Sequence, residues 1–178
     1  VGISAANYVE DAGPIGWGLA HPLLVAQLYQ YYGDRRIVAE QYETARQWVD
    51  LLGEHAKEHI IDRCISDHES LDPKPVALTA TAHYWQATWL VSQFAKILGH
   101  EADRVHYERL AGEIQGAFVD RFLAPGTGVF DIGTQACQAT ALAMGLVPAS
   151  ERGAAIDRMV DQVLIEHDGH IATGIFGT

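Results

Sequence analysis

Residues 76–100 read VALTATAHYWQATWLVSQFAKILGH, and residues 101–123 read EADRVHYERLAGEIQGAFVDRFL. At 1.5 Å of rise per residue the first stretch makes about six helical turns. It is apolar around most of its circumference, which predicts burial on both sides. The second stretch places Val105, Leu110, Ile114, Phe118 and Phe122 on one stripe and its charges elsewhere. Gly99 and His100 close the turn between them. The pair reads as a helical hairpin with one inner and one outer member.

The same alternation extends in both directions. Upstream, HPLLVAQLYQYYGD starts at His21 with Pro22 in its first turn, where a missing N–H costs little, and Gly33 stops it. The charged stretch that follows carries Ile37, Tyr42, Ala45, Trp48, Val49 and Leu52 at helical spacing, with Asp34 as its N-cap. Downstream, residues 124–133 (APGTGVFDIG) predict a Gly-rich turn or small β-hairpin. A third inner-type helix is expected in TQACQATALAMGLV, then an amphipathic one in SERGAAIDRMVDQVLIEHD, capped by Ser150. The fold class is all-α: about three hairpins, an inner ring covered by an outer ring, forming part of a toroid. Loops 60–76, 124–133 and 167–178 should then gather on one rim, where a site is expected.

Composition narrows the function. With a net charge of −11 and 12 scattered basic residues, the chain is not suited to nucleic acid. No apolar run approaches the ~18 residues of a membrane span. The start, VGISAANYVED, has neither the basic nor the apolar region of a signal peptide. Its lack of an initiator Met suggests that the chain is cut from something longer. Cys64 and Cys137 form no disulfide framework or zinc pattern, and Cys137 reads as a buried, inert thiol. Cysteine usage permits the cytoplasm, the compartment slightly favoured. The spacing in HAKEH (55–59) is zinc-like but lacks the glutamate placement of HExxH, so no metal and no cofactor are expected.

The chemistry-bearing segment is 62–75, DRCISDHESLDPKP, with Asp62, Asp67, His68, Glu69 and Asp72. Asp67 and Glu69 would point the same way in an extended loop, with His68 between them. Sugar hydroxyls are suitable partners for such a group, and a solvated turn is the alternative. Trp17, between glycines, is expected in a loop as a stacking face for a sugar. His170, with the glycines of the last loop, is a further rim candidate, whereas Trp89 is expected in the core.

The strings GPIGWG (13–18), QLYQYYGDRR (27–36), QYETARQWVDLL (41–52), GTQACQATALAMGLVP (133–148) and DGHIATGIFGT (168–178) resemble bacterial α-L-rhamnosidases. They occur in the order found in the six-hairpin (α/α)6 glycosidase domain of that family. The resemblance implies that residues 1–178 are the central part of such a domain, truncated at both ends. It also implies hydrolysis of terminal α-L-rhamnose from a glycoside, with inversion. An inverting site needs an acid and a base carboxylate ~6.5–9.5 Å apart. The family's motifs place these upstream of Val1 and downstream of Thr178, so no catalytic residue is expected in this chain. Asp67 matches the family's loop aspartate, but Ser66 and His68 stand where Gly and Trp are usual, and Leu19 stands where Asp is common. The expected substrate contacts are Trp17, Asp67, His68, Glu69 and His170, the partner a rhamnose-containing glycoside or oligosaccharide. Self-association of a truncated chain is also expected. A non-catalytic helical toroid or solenoid, binding carbohydrate or protein, is the competing reading.

Overall fold

The computed structural model describes residues 15–178; Gly13 and Pro14 of the GPIGWG string lie outside them. The helices are α1 (Ile15–Gly18), α2 (Ala20–Tyr32), α3 (Arg35–His55), α4 (Val76–Leu98), α5 (Glu101–Phe122), α6 (Gln135–Ala143) and α7 (Arg152–Asp161). A π-helical turn, Gln162–Glu166, continues α7. Gly33 ends α2 at φ 64°, and the Asp34 side chain then accepts from the Arg36 N–H at 2.9 Å to start α3. Gly99, at φ 79°, ends α4. These are left-handed positions that a side chain would strain.

The outer helices are tied directly to each other. Tyr42 of α3 donates to Asp103 of α5, and Tyr107 of α5 donates to Asp50 of α3, each at 2.7 Å. The contacts occur in the same order along both helices, so α3 and α5 run parallel, as successive outer helices of a toroid do. The inner helix α4 lies beneath them and feeds two cores. Tyr84, Val91 and Phe94 pack with Val49 and Leu52 of α3 and Ile114 of α5. Leu78 and Ala82 pack with Phe118, Phe130, Cys137 and Ala155.

A short antiparallel hairpin, β1 (Leu123–Ala124) and β2 (Val129–Phe130), occupies the Gly-rich segment. It leans on α7, where a Cβ on Gly128 would stand 2.4 Å from the Ala155 nitrogen. Gln138, fully buried, accepts from Phe130 N–H and donates to the Gly128 carbonyl, which closes the hairpin onto α6. Ser150 does not cap α7. Glu151 holds that position without capping, because its carboxylate accepts instead from the Gly126 and Gly128 amides.

Two further expectations change. Trp17 sits in the short helix α1 and not in a loop. Trp89 is 44% exposed, stacked on Trp85 with centroids 6.4 Å apart, because nothing among the described residues covers that side of α4. Large apolar side chains are also exposed on α2 (Leu24, Leu28, Tyr31, Tyr32) and around α7 (Ile156, Val160). The three hairpins thus form an arc of a toroid whose flanks the described residues leave uncovered.

Candidate functional site

Two of the three loops meet at the rim. Leu71 donates its N–H to the Ala172 carbonyl at 3.0 Å, and Ile175 donates to the His68 carbonyl at 2.8 Å. The 124–133 segment does not join them; it packs against α7, and only the start of α6 reaches the junction. There Gln135 accepts from Ala172 N–H and donates to the His170 carbonyl, both at 3.0 Å.

Asp67 does something other than face a ligand. It is 1% exposed. One carboxylate oxygen accepts from Gly174 N–H at 2.6 Å, and the other from Phe176 and Gly177 N–H at 3.0 and 2.9 Å. This corrects the expectation that Asp67 and Glu69 point the same way. Ser66 and Glu69 have φ of 56° and 65°, and Ser70 N–H closes a turn on the Asp67 carbonyl. The segment is therefore a turn and not an extended strand. Asp67 goes inward, while the Glu69 side chain is 74% exposed beside the His68 imidazole, Nε2 to Oε1 3.3 Å.

The clamp seats an aromatic cluster. Phe176 meets Trp17 edge-on with centroids 5.3 Å apart, and meets His83 of α4 at the same distance. Trp17 remains 50% exposed. A Cβ on Gly16 would fall 2.6 Å from the Phe176 ring, so this glycine admits the ring. Trp17, His68, Glu69 and Asp67 thus belong to one junction, and exposed His170 lies two residues before Ala172 at its edge. A half-exposed indole can stack on a polyol, and an imidazole or a carboxylate can hydrogen-bond one.

His83 escaped the sequence reading, although a histidine in an otherwise apolar helix was a signal. It is 4% exposed, and Nδ1 has no hydrogen-bond partner among the described residues. Burial pushes its pKa down to about 4, against an upward pull from Asp67. A histidine in the unfolded chain titrates near ~6.5. Because the folded value is depressed, this stability is fully present above about pH 6.5 and declines as pH falls toward 4. The loss amounts to about 3 kcal/mol. His83→Asn should flatten that limb of a urea-midpoint-against-pH curve; an unchanged slope would show that His83 is not its source.

His21, Cys64 and Cys137 take structural places. His21 Nε2 bonds the Gln41 side chain at 3.0 Å across α2 and α3. Both thiols are buried, and burial raises each, Cys64 to about 11. HAKEH loses its helical spacing because α3 ends at His55. Among the described residues no group of three acidic, His or Cys side chains could hold a metal ion.

An arc of inner and outer helices with a loop-built rim defines a helical-hairpin domain. Residues 6–178 match the model of the bacterial alpha-L-rhamnosidase 6 hairpin glycosidase domain, and the chain belongs to that family. An α-L-rhamnosidase from Streptomyces avermitilis is 33% identical over 170 residues, covering 93% of this chain and 16% of the relative. One from Alteromonas sp. is 28% identical, covering 92% of this chain and 19% of the relative. The chain therefore spans less than a fifth of the length of these two relatives. Among solved structures, the α-L-rhamnosidase from Dictyoglumus thermophilum superposes with a TM-score of 0.85 at 28% identity, over 92% of this chain and 19% of its own. The Streptomyces avermitilis enzyme complexed with L-rhamnose gives 0.81 at 30%, over 90% and 15%.

Proposed function

We propose that this chain forms one wall of the sugar pocket of an inverting α-L-rhamnosidase. Trp17 would stack on the sugar, and His68, Glu69 and His170 would bind its hydroxyls. Asp67 would hold the wall in place without touching the sugar. The observation that carries this reading is the likeness, over nine-tenths of the chain, to an enzyme solved with L-rhamnose bound. The rim junction supplies suitable groups on the chain's own residues.

The general acid and base would come from outside residues 1–178. The acid protonates the glycosidic oxygen as the bond to the anomeric carbon breaks. The base takes a proton from the water that attacks from the opposite face. The longer protein should therefore release β-L-rhamnose first from an aryl α-L-rhamnoside, as followed by NMR before mutarotation. The pure 178-residue chain should show no turnover. Release of the α-anomer would overturn the inverting assignment, and turnover by the chain alone would overturn the placement of the carboxylates.

A further inference from the structure

Away from the rim, a cleft of about 580 Å³ opens between α3 and α5, with α4 beneath it. Tyr84 lies at its base. The residue is 1% exposed, yet its hydroxyl makes no hydrogen bond among the described residues. Tyr42 and Tyr107, also buried between these helices, each donate to an aspartate. An unpartnered hydroxyl at the base of an open cleft is free to bond water or a ligand that enters it. Gly53 leaves that route open: a Cβ there would stand 3.2 Å from the Tyr84 oxygen.

The cleft has two kinds of wall. Val49, Ala56 and Leu110 are apolar, while Asp50, Glu54 and Glu58 bring carboxylates. Asp50 is already engaged by Tyr107 and Arg46. Glu54 and Glu58 form no ion pair among the described residues. Opposite them, Glu113 binds Arg109 and stands 3.9 Å from His59. Burial, with Asp50 and Glu113 nearby, pushes the Tyr84 phenol up to about 12, so it stays a neutral hydroxyl that can both donate and accept.

We propose that this cleft is a binding site for a primary alkylammonium group, with the ammonium held by the Tyr84 oxygen and the Glu54 and Glu58 carboxylates, and the alkyl stem against Val49, Ala56 and Leu110. An ammonium supplies three donors to groups that can only, or can also, accept, and its stem suits the apolar wall. A free amine and a lysine side chain share this chemistry. The site is independent of the rhamnosidase reading, because it uses none of the rim residues.

The test is a titration of the full-length protein carrying this chain, with tyrosine Cζ labelled with carbon-13 and followed by NMR. The Tyr84 signal is assigned by its loss in Tyr84→Phe. n-Butylammonium should shift that signal saturably, with a dissociation constant on the order of 1 mM. Tetramethylammonium, which has no N–H, should not shift it. Equal affinity for Nα-acetyl-lysine amide marks a site that reads only head and stem; tighter binding of the lysine derivative favours a protein-borne lysine. Glu54→Gln with Glu58→Gln, both at the surface, should weaken binding about tenfold. Gly53→Leu should abolish it. No saturable shift, an equal response to tetramethylammonium, or unchanged affinity in the double glutamine variant would overturn the proposal.

Discussion

Asp67→Ala should lower the stability of this domain by about 4 kcal/mol, with the damage concentrated 107 to 110 residues away in sequence. The reason is an asymmetry in hydrogen bonding. A bond to a charged acceptor contributes ~1.5–3 kcal/mol, but a buried donor left without a partner loses its full hydration as well. The substitution leaves three amides stranded, those of Gly174, Phe176 and Gly177. Their losses overlap, because once one amide is freed the segment lifts and water reaches the others. Against a typical total of ~5–15 kcal/mol, such a loss is severe. Asp67→Asn keeps one accepting oxygen and should lose about half as much. Urea unfolding measures the total, and hydrogen exchange locates it: those three amides should exchange far faster while amides of α4 and α5 stay protected. A loss below about 1 kcal/mol with the three amides still protected would remove the clamp from consideration.

The hairpins were legible in the sequence because their signals are local. Gly33, Asp34 and Gly99 act through backbone conformations and caps decided within one turn of chain, and the stripe from Val105 to Phe122 follows from helical period alone. Asp67 was recognisable as a residue of consequence, but not its task. Its partners are backbone amides at the far end of the chain, and a backbone amide leaves no mark in a sequence. The inward turn of Asp67 also depends on Ser66 and Glu69 adopting positive φ, which no glycine announced. Ser150 failed as a cap for a related reason: Glu151 was recruited by a hairpin more than twenty residues upstream. Trp89 shows the limit of period. An apolar stripe says that a face is to be covered, not that the described residues supply the cover.

Gly174→Ala should destabilise the domain by a similar amount, about 4 kcal/mol, through a different atom of the same contact. Gly174 does not have a positive φ, so its backbone conformation suits alanine and only space is at issue. That space is absent: a Cβ would stand 2.0 Å from the His68 carbonyl oxygen and 2.6 Å from the Ser70 nitrogen. Both are backbone atoms held in a turn, so no side chain can swing aside. The segment from Gly174 to Gly177 must withdraw, which breaks the Ile175-to-His68 bond and pulls the three amides off Asp67. The single methyl therefore undoes what the carboxylate builds. A double-mutant cycle tests that identity. If the two substitutions break one contact, Asp67→Ala in the Gly174→Ala background should cost little more, giving a coupling of about 3 kcal/mol. Additive losses would mean that Gly174 and Asp67 act separately. Phe176 would then owe its seat between Trp17 and His83 to the close approach of the loops and not to the buried carboxylate.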